Sequence, residues 1–245
     1  MSVVSPEFRS RFRARIEAPV AAFFVRTRLT PNALTLIGFG IAVVGAWLAS
    51  QQSWLIAGLV VGFGAAFDLF DGALARATGT SSRLGAFMDS VFDRAGEAVV
   101  YVGITAGLLA HIDAQGTFAL FGFTFDGSMG AVIAGAAMAA AFMVSYTRAK
   151  SESLGFSSGT GMANVGFAPR EVRSIILVLG LLLGGLFERT MIGDCPADVA
   201  CAPQVWWIVL VGSLAIIAIL ATLTTIQRIL FVYRQSKSPN QEVNR

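Results

Sequence analysis

Four aspartates stand where the surrounding sequence is almost entirely apolar, in the stretch "DLFDGALARATGTSSRLGAFMDSVFD" over residues 68–93. They are Asp68, Asp71, Asp89 and Asp93. The members of each pair are three or four residues apart, so each pair lies on one face of a helix. Ionisable residues inside membrane segments are costly and therefore indicate a functional site.

The two aspartate pairs are predicted to lie at the same depth. Asp71 comes shortly before Arg76, at the end of one apolar segment, and Asp89 comes shortly after Gly85, at the start of the next. At about 1.5 Å per residue, both carboxylates lie less than about 8 Å from the ends of their helices. Carboxylates packed so closely repel one another unless a cation neutralises them. Hard oxygen ligands in this number suit Mg²⁺ or Mn²⁺.

A purely structural explanation must be weighed against the metal site. The aspartates would then form buried ion pairs with Arg76, Arg83 and Arg94. Four carboxylates at one depth favour the metal site over this alternative. Within the second segment, Arg94 and Glu97 are three residues apart, and a local ion pair between them is expected.

The composition points to a membrane protein. Of the 245 residues, 55% are hydrophobic and 13% are charged, whereas soluble domains carry about 25% charged residues. A transmembrane helix needs roughly 20 mainly apolar residues, and six segments qualify: about 32–50, 54–75, 86–111, 129–149, 171–187 and 204–232. We therefore predict an all-α integral membrane protein with six transmembrane helices, forming one domain over residues 32–233.

Both ends of the chain are predicted to be cytoplasmic. Residues 1–31 alternate arginines with apolar residues at helical spacing, which predicts an amphipathic helix at the membrane interface. Residues 234–245 read as a polar tail. Lysines and arginines favour cytoplasmic loops, and nearly all of them fall on one side of the six spans. The aspartates lie on that same side, at the cell membrane's cytoplasmic face.

The opposite side carries few charges. Four tryptophans at the predicted outer ends of the spans are expected at the membrane interface: Trp47, Trp54, Trp206 and Trp207. Cys195 and Cys201 lie in the predicted outer loop between spans five and six. Either a short disulfide or two thiols is compatible with that place.

The aspartate stretch also spells a recognisable motif. Eight positions carry it: Asp68-x-x-Asp71-Gly72-x-x-Ala75-Arg76, then eight residues, then Gly85-x-x-x-Asp89-x-x-x-Asp93. This resembles the complete signature of the CDP-alcohol phosphotransferase family, whose members are also called CDP-alcohol phosphatidyltransferases. The segment "LTPNALT" over residues 29–35 resembles that family's entry into its first span.

The resemblance implies a metal-dependent transfer in which a hydroxyl attacks the lipid-linked phosphate of a CDP-diacylglycerol-type donor and CMP leaves. It implies that the four aspartates hold two divalent ions and that Asp93 is also the general base. It assigns the CDP portion of the donor to four further residues: Gly72, Ala75, Arg76 and Gly85. Family members resembling this chain are usually homodimers among membrane lipids.

A cluster of basic residues lies on the same predicted side as the aspartates: Arg148, Lys150, Arg170 and Arg173. Such residues can simply follow the preference of positive charge for the cytoplasmic side. They can also form a pocket for a phosphorylated acceptor, since arginine suits phosphate. The segments "SYTRAKSESLG" over 145–155 and "PREVRSIIL" over 169–177 resemble those that bind inositol 1-phosphate in phosphatidylinositol phosphate synthases and their archaeal-lipid counterparts.

We therefore predict phospholipid synthesis with inositol 1-phosphate as the acceptor. Phosphatidylglycerophosphate synthesis from glycerol 3-phosphate is the alternative. A cation transporter belongs to another class and predicts charges near the membrane midplane, whereas these aspartates lie near one interface. The net charge of +3 does not indicate a nucleic-acid partner, because no soluble basic domain accompanies it.

Overall fold

The computed structural model describes residues 29–78, 82–110, 118–120, 123–125, 128–156, 165–190 and 205–237. For residues 68–78, 118–120, 123–125 and 189–190, the description covers the backbone alone. Nearly all of the predicted N-terminal helix lies outside the described residues. So do Cys195, Cys201 and most of the predicted polar tail.

Six helices form in the described ranges, one for each apolar segment of the sequence. They are α1 Pro31–Ser50, α2 Trp54–Thr78, α3 Arg83–Leu109, α4 Ser128–Ser153, α5 Arg170–Thr190 and α6 Val205–Ser236. Their ends lie within a few residues of the predicted ones, so the helical class is confirmed. Three of them, α1, α4 and α6, are long and apolar enough to cross a membrane.

A short β-hairpin in the connection from α3 to α4 is an addition to the predicted all-α fold. Strand β1, Phe118–Leu120, pairs antiparallel with β2, Phe123–Phe125. Aromatic residues favour strands. Strands of three residues are too short, however, to show the alternation from which a strand is recognised in a sequence.

Polar side chains cap the starts of two helices. Thr30 precedes α1, and its hydroxyl oxygen accepts a hydrogen bond from the Ala33 amide at 3.2 Å. Ser82 precedes α3 and accepts in the same way from the Gly85 amide at 2.9 Å. A capping oxygen satisfies an amide that lacks a partner in the first turn. The cap at Ser82 fixes where the aspartate-bearing helix α3 begins.

The six helices pack side by side in a closed ring. The principal contacts run from α1 to α2, then to α5, α6, α4 and α3, and back to α1. Glycines allow the closest approach, because a Cβ on Gly103 of α3 would lie 2.2 Å from the carbonyl oxygen of Ala46 in α1. In this order α3 and α5 are not neighbours, yet charged side chains connect them.

Tryptophans form part of the core. Trp54, Trp206 and Trp207 are buried, and the rings of Trp54 and Trp206 stack with centroids 6.0 Å apart. Trp47 is 61% exposed. Their large apolar rings pack against neighbouring helices. Trp54, Trp206 and Trp207 stand at the starts of α2 and α6, so this packing is compatible with the predicted depth at the membrane interface, which stays a prediction.

Candidate active site

Helix α3 presents three carboxylates along one face. Asp89, Asp93 and Glu97 are spaced by four residues, and residues so spaced lie above one another on a helix. The side chains of Asp93 and Glu97 are each 13% exposed. Asp89 is half-buried. The aspartate face predicted for α3 therefore continues one turn further into the protein, as far as Glu97.

Asp93 lies in direct contact with Arg170, the first residue of α5. The pair joins Oδ2 of the carboxylate to Nη1 of the guanidinium. A second guanidinium, that of Arg94, lies 3.8 Å from the same oxygen and donates a hydrogen bond to the Ser90 carbonyl oxygen at 2.7 Å. A predicted metal ligand and a predicted phosphate-binding arginine thus meet across the ring.

A second ion pair lies one turn deeper and joins the same two helices. Arg173 donates from Nε to Oε1 of Glu97 at 3.0 Å and from Nη2 to Oε2 at 2.9 Å. Its Nη1 donates to the Ala168 carbonyl oxygen at 3.1 Å. The side chain of Arg173 is only 1% exposed. The expected pair between Arg94 and Glu97 is therefore wrong, because Glu97 binds Arg173 of α5 instead.

This bidentate geometry explains how both charges can remain buried. Two parallel N–H···O bonds match the planar guanidinium to the carboxylate. Removing charges from water is expensive, and only good geometry with further hydrogen bonds compensates that cost. The carbonyl of Ala168 supplies the further bond. The pair fixes how far α3 and α5 stand apart at this level.

A cavity of about 60 Å³ opens beside Asp93, between α1, α2, α3 and α5. Five of its lining residues are glycine or alanine: Gly38, Ala42, Gly64, Ala65 and Gly96. Asp93, Glu97 and Arg170 line it as well. Small residues leave backbone surfaces open, so the space next to the charged groups is kept free of side chains.

The remaining predicted residues belong to α2, the first turn of α3 and the end of α4. Five residues of the aspartate motif belong to helix α2, where the structure describes the backbone alone: Asp68, Asp71, Gly72, Ala75 and Arg76. Gly85 lies in the first turn of α3, where a Cβ would stand 3.1 Å from Ser82 Oγ and 3.2 Å from Asn32 Oδ1. A side chain there would crowd both polar atoms.

Arg148 and Lys150 lie near the end of α4, and both are exposed. Arg148 Nε donates to Oε1 of Glu152, one turn later, at 2.9 Å. The buried Arg228 of α6 lies within electrostatic range of Arg148, Glu152 and Arg173. The ends of α4, α5 and α6 thus come together on the side where the basic cluster was predicted.

Two residues that the sequence did not single out take part in this arrangement. Thr224 and Arg228 of α6 are both buried and bind the segment that leads into α5. A basic residue inside an apolar helix was the available signal for Arg228. A threonine in an apolar helix carries no comparable signal, because its hydroxyl commonly bonds its own helix.

The described residues offer part of a site for a divalent cation. Asp89 and Asp93 offer hard oxygen donors on one face of α3. Guanidinium groups already stand against Asp93, which shows that the position favours positive charge. Across the described ranges, no three acidic, histidine or cysteine side chains come close enough to hold a metal together. Asp68 and Asp71 would have to complete the site.

Comparison with known proteins defines the class. The sequence model of the CDP-alcohol phosphatidyltransferase family matches residues 28–192. Archaetidylinositol phosphate synthase from Pyrococcus horikoshii is 34% identical over 187 residues, which cover 75% of this chain and 85% of that protein. Phosphatidylinositol phosphate synthase from Streptomyces avermitilis is 30% identical over 232 residues, covering 94% and 83%. The chain belongs to the CDP-alcohol phosphatidyltransferase family.

Solved structures agree with this assignment. The structure of Mycobacterium tuberculosis phosphatidylinositol phosphate synthase in complex with manganese and citrate matches with a TM-score of 0.69 and 25% identity, covering 94% of this chain and 93% of that one. The same enzyme with CDP-DAG bound matches with a TM-score of 0.69 and 24% identity. The family predicted from the aspartate motif is confirmed, and the protein is an enzyme of that class.

The two ion pairs of the basic cluster predict different effects on stability. Arg173→Gln leaves the Glu97 carboxylate buried without its partner, and we expect the free energy of unfolding to fall by about 3–5 kcal/mol. Arg148→Gln breaks an exposed pair and should cost less than about 1 kcal/mol. Thermal unfolding in detergent compares the two variants. Equal melting temperatures would contradict a supporting role for the buried pair.

Proposed function

We propose that this enzyme transfers a phosphatidyl or archaetidyl-type group from a CDP-activated lipid to a hydroxyl of inositol 1-phosphate, releasing CMP. One observation carries the proposal: Asp93, the last residue of the donor motif, touches Arg170, a predicted ligand of the acceptor phosphate. A lipid phosphate held by the motif and an acceptor phosphate held by the basic cluster would then be neighbours. The names of the relatives from P. horikoshii and S. avermitilis support this acceptor.

In the proposed reaction an acceptor hydroxyl oxygen forms a bond to the lipid-linked phosphorus, and the bond from that phosphorus to the CMP oxygen breaks. Asp93 takes the hydroxyl proton as general base, since its carboxylate contacts Arg170 on the proposed acceptor side. Gly72, Ala75, Arg76 and Gly85 bind the CDP portion. CMP departs with the negative charge of the broken bond.

We propose that Asp68, Asp71, Asp89 and Asp93 hold two divalent ions, Mg²⁺ or Mn²⁺. When bound, such ions stabilise negative charge on the diphosphate and make its phosphorus more electrophilic. The manganese in the M. tuberculosis structure supports a divalent metal. Arg170 and Arg94 also place positive charge beside Asp93.

We assign the acceptor phosphate to Arg148, Lys150 and Arg170. Arg148 and Lys150 are exposed, and the side chain of Arg170 is 35% exposed, so all three can meet a solute. Arg173 was predicted from the sequence to bind the same phosphate. Its three guanidinium nitrogens already donate to Glu97 and Ala168 in a buried place, which favours a supporting role that holds Arg170.

We further propose that all six helices cross the cell membrane, with both termini and the site on the cytoplasmic side, and that the enzyme is a homodimer. The predominance of lysine and arginine on one side supports that orientation. The charged residues of α3 and α5 that meet inside the ring explain how less apolar helices can span: their charges pair with each other and not with lipid.

An acceptor panel tests the proposed reaction. Purified enzyme with CDP-diacylglycerol and Mg²⁺ should release CMP with inositol 1-phosphate, and much less with inositol or serine, which carry no phosphate for the basic cluster. Glycerol 3-phosphate is the alternative acceptor to compare, because it also carries a phosphate. CMP release with glycerol 3-phosphate but not with inositol 1-phosphate would contradict the proposed acceptor and favour phosphatidylglycerophosphate synthesis.

The same assay tests the general base. Asp93→Asn should lower CMP release by at least about 100-fold, because positioned general bases contribute that much or more. Glu188→Gln is the control and should remain active, because Glu188 lies in the last turn of α5, at the opposite end of that helix from Arg170. Full activity in Asp93→Asn would remove Asp93 from the base role.

Substitution of Arg170 should strengthen metal binding and weaken binding of the acceptor. Because its guanidinium competes with a cation for Asp93, Arg170→Gln should tighten Mn²⁺ binding by about twofold to fivefold, the range of a partly exposed ion pair. The KM for inositol 1-phosphate should rise by at least about tenfold, as when a charged hydrogen bond is lost. Mn²⁺ binding is read by electron paramagnetic resonance of the free ion.

Arg148→Gln is the matched control for this experiment. It removes a guanidinium of the same proposed pocket that is paired with Glu152 and not with Asp93. Its KM for inositol 1-phosphate should rise while its Mn²⁺ affinity stays at the wild-type value. Weaker Mn²⁺ binding in Arg170→Gln would show that Arg170 supports the metal site and does not compete with it.

A further inference from the structure

The segment 165–168, which leads into α5, is bound to α6 by its backbone. The Ala168 amide donates to Oγ1 of Thr224 at 3.0 Å, and Arg228 donates from Nε to the Val165 carbonyl oxygen at 3.1 Å. Thr224 is fully buried, and its hydroxyl donates onward to the Leu220 carbonyl oxygen at 2.8 Å. The threonine hydroxyl therefore links the segment to the backbone of α6.

The same residue of the segment is bound from the opposite side. The Ala168 carbonyl oxygen accepts from Arg173, which Glu97 of α3 holds in turn. Both backbone polar groups of Ala168 are thus bonded to side chains that are themselves fixed. Proline follows at position 169 with a restricted φ, and Arg170 begins α5 directly after it.

A glycine brings the segment close to Thr224. Gly166 has a φ of +116°, in a region that side-chain-bearing residues rarely adopt. A Cβ at this position would lie 2.2 Å from Cγ2 of Thr224. The segment therefore rests on the threonine methyl group while Ala168 bonds its hydroxyl.

Resting on the proposed function, we infer that Thr224 is a positioning residue for the acceptor. It touches neither substrate nor metal in this role. Through Ala168 and Pro169 it fixes the place of Arg170, whose guanidinium stands beside Asp93. Misplacement of a binding group by about 1 Å is enough to reduce the rate strongly. The Thr224 hydroxyl, which binds the chain two residues before Arg170, therefore governs how well the acceptor phosphate is held.

A purely structural tie between α6 and the segment is the competing explanation. It predicts that every substitution of Thr224 lowers the stability of the protein and raises the KM values of both substrates alike. A positioning role predicts that only the KM for the acceptor rises, because the donor motif lies on α2 and α3. The hydroxyl and the methyl group can be separated, since valine keeps the shape of threonine without its hydroxyl and serine keeps the hydroxyl alone.

The test compares Thr224→Val with Thr224→Ser in the full-length enzyme. In the valine variant the Ala168 amide loses its acceptor, and the KM for inositol 1-phosphate should rise by about threefold to tenfold, as expected for a misplaced binding group. The KM for CDP-diacylglycerol should stay within about twofold of the wild-type value, because the donor motif keeps its geometry. The serine variant should restore the acceptor KM toward the wild-type value.

Two outcomes would overturn the inference: equal acceptor KM values in the valine and serine variants, or a parallel rise in both substrates' KM in the valine variant. If the wild type uses glycerol 3-phosphate and not inositol 1-phosphate, the proposed acceptor fails, and the Thr224 comparison is made with glycerol 3-phosphate. The two failures therefore remain distinguishable.

Hydrogen exchange gives a readout that does not depend on activity. The Ala168 amide should exchange faster in Thr224→Val than in wild type or Thr224→Ser, at the temperature where all three are folded. Should Thr224→Val fold poorly, Gly166→Ala displaces the segment from the other side, because its Cβ would collide with the threonine methyl group. Unchanged exchange and an unchanged acceptor KM in a folded Gly166→Ala would equally contradict the inference.

Discussion

The bidentate ion pair between Glu97 of α3 and Arg173 of α5 connects two helices that do not follow each other around the ring. Both charges are nearly removed from solvent, so the pair is stable only while its geometry is kept. The need to keep this geometry sets the spacing and register of α3 against α5. One turn nearer the surface, the same register brings Asp93 against Arg170.

The ring then divides the chemistry between its two halves. Helices α2 and α3 carry the motif that we assign to metal and CDP, while the ends of α4 and α5 carry the basic residues that we assign to the acceptor phosphate. Helix α6 supplies buried support through Thr224 and Arg228. Phosphoryl transfer depends mainly on positioning and charge, so rigid connections between these halves matter as much as the reacting groups.

Much of this arrangement follows from the sequence, because helix length and hydropathy are local properties. The six apolar segments predict the six helices closely, and the aspartate spacing predicts both the shared face of α3 and the enzyme family. Side-chain contacts between helices that lie far apart in the sequence are not local properties. Glu97 was expected to pair with Arg94, its neighbour on the helix, whereas only the packing of α5 brings Arg173 within reach. The packing of three tryptophans into the helix core was likewise not predicted, since amphipathic rings suit an interface and a helix core equally well.

The central claim is that the Glu97–Arg173 pair positions the acceptor half of the site against the donor half. A double-mutant cycle with Glu97→Gln, Arg173→Gln and the double variant tests it, with the KM for the phosphorylated acceptor as the measured quantity. We predict that each single variant raises this KM and that the double variant is no worse than the poorer single one, because both remove the same connection. Independent, additive effects, or an unchanged acceptor KM in a folded Arg173→Gln enzyme, would contradict the account.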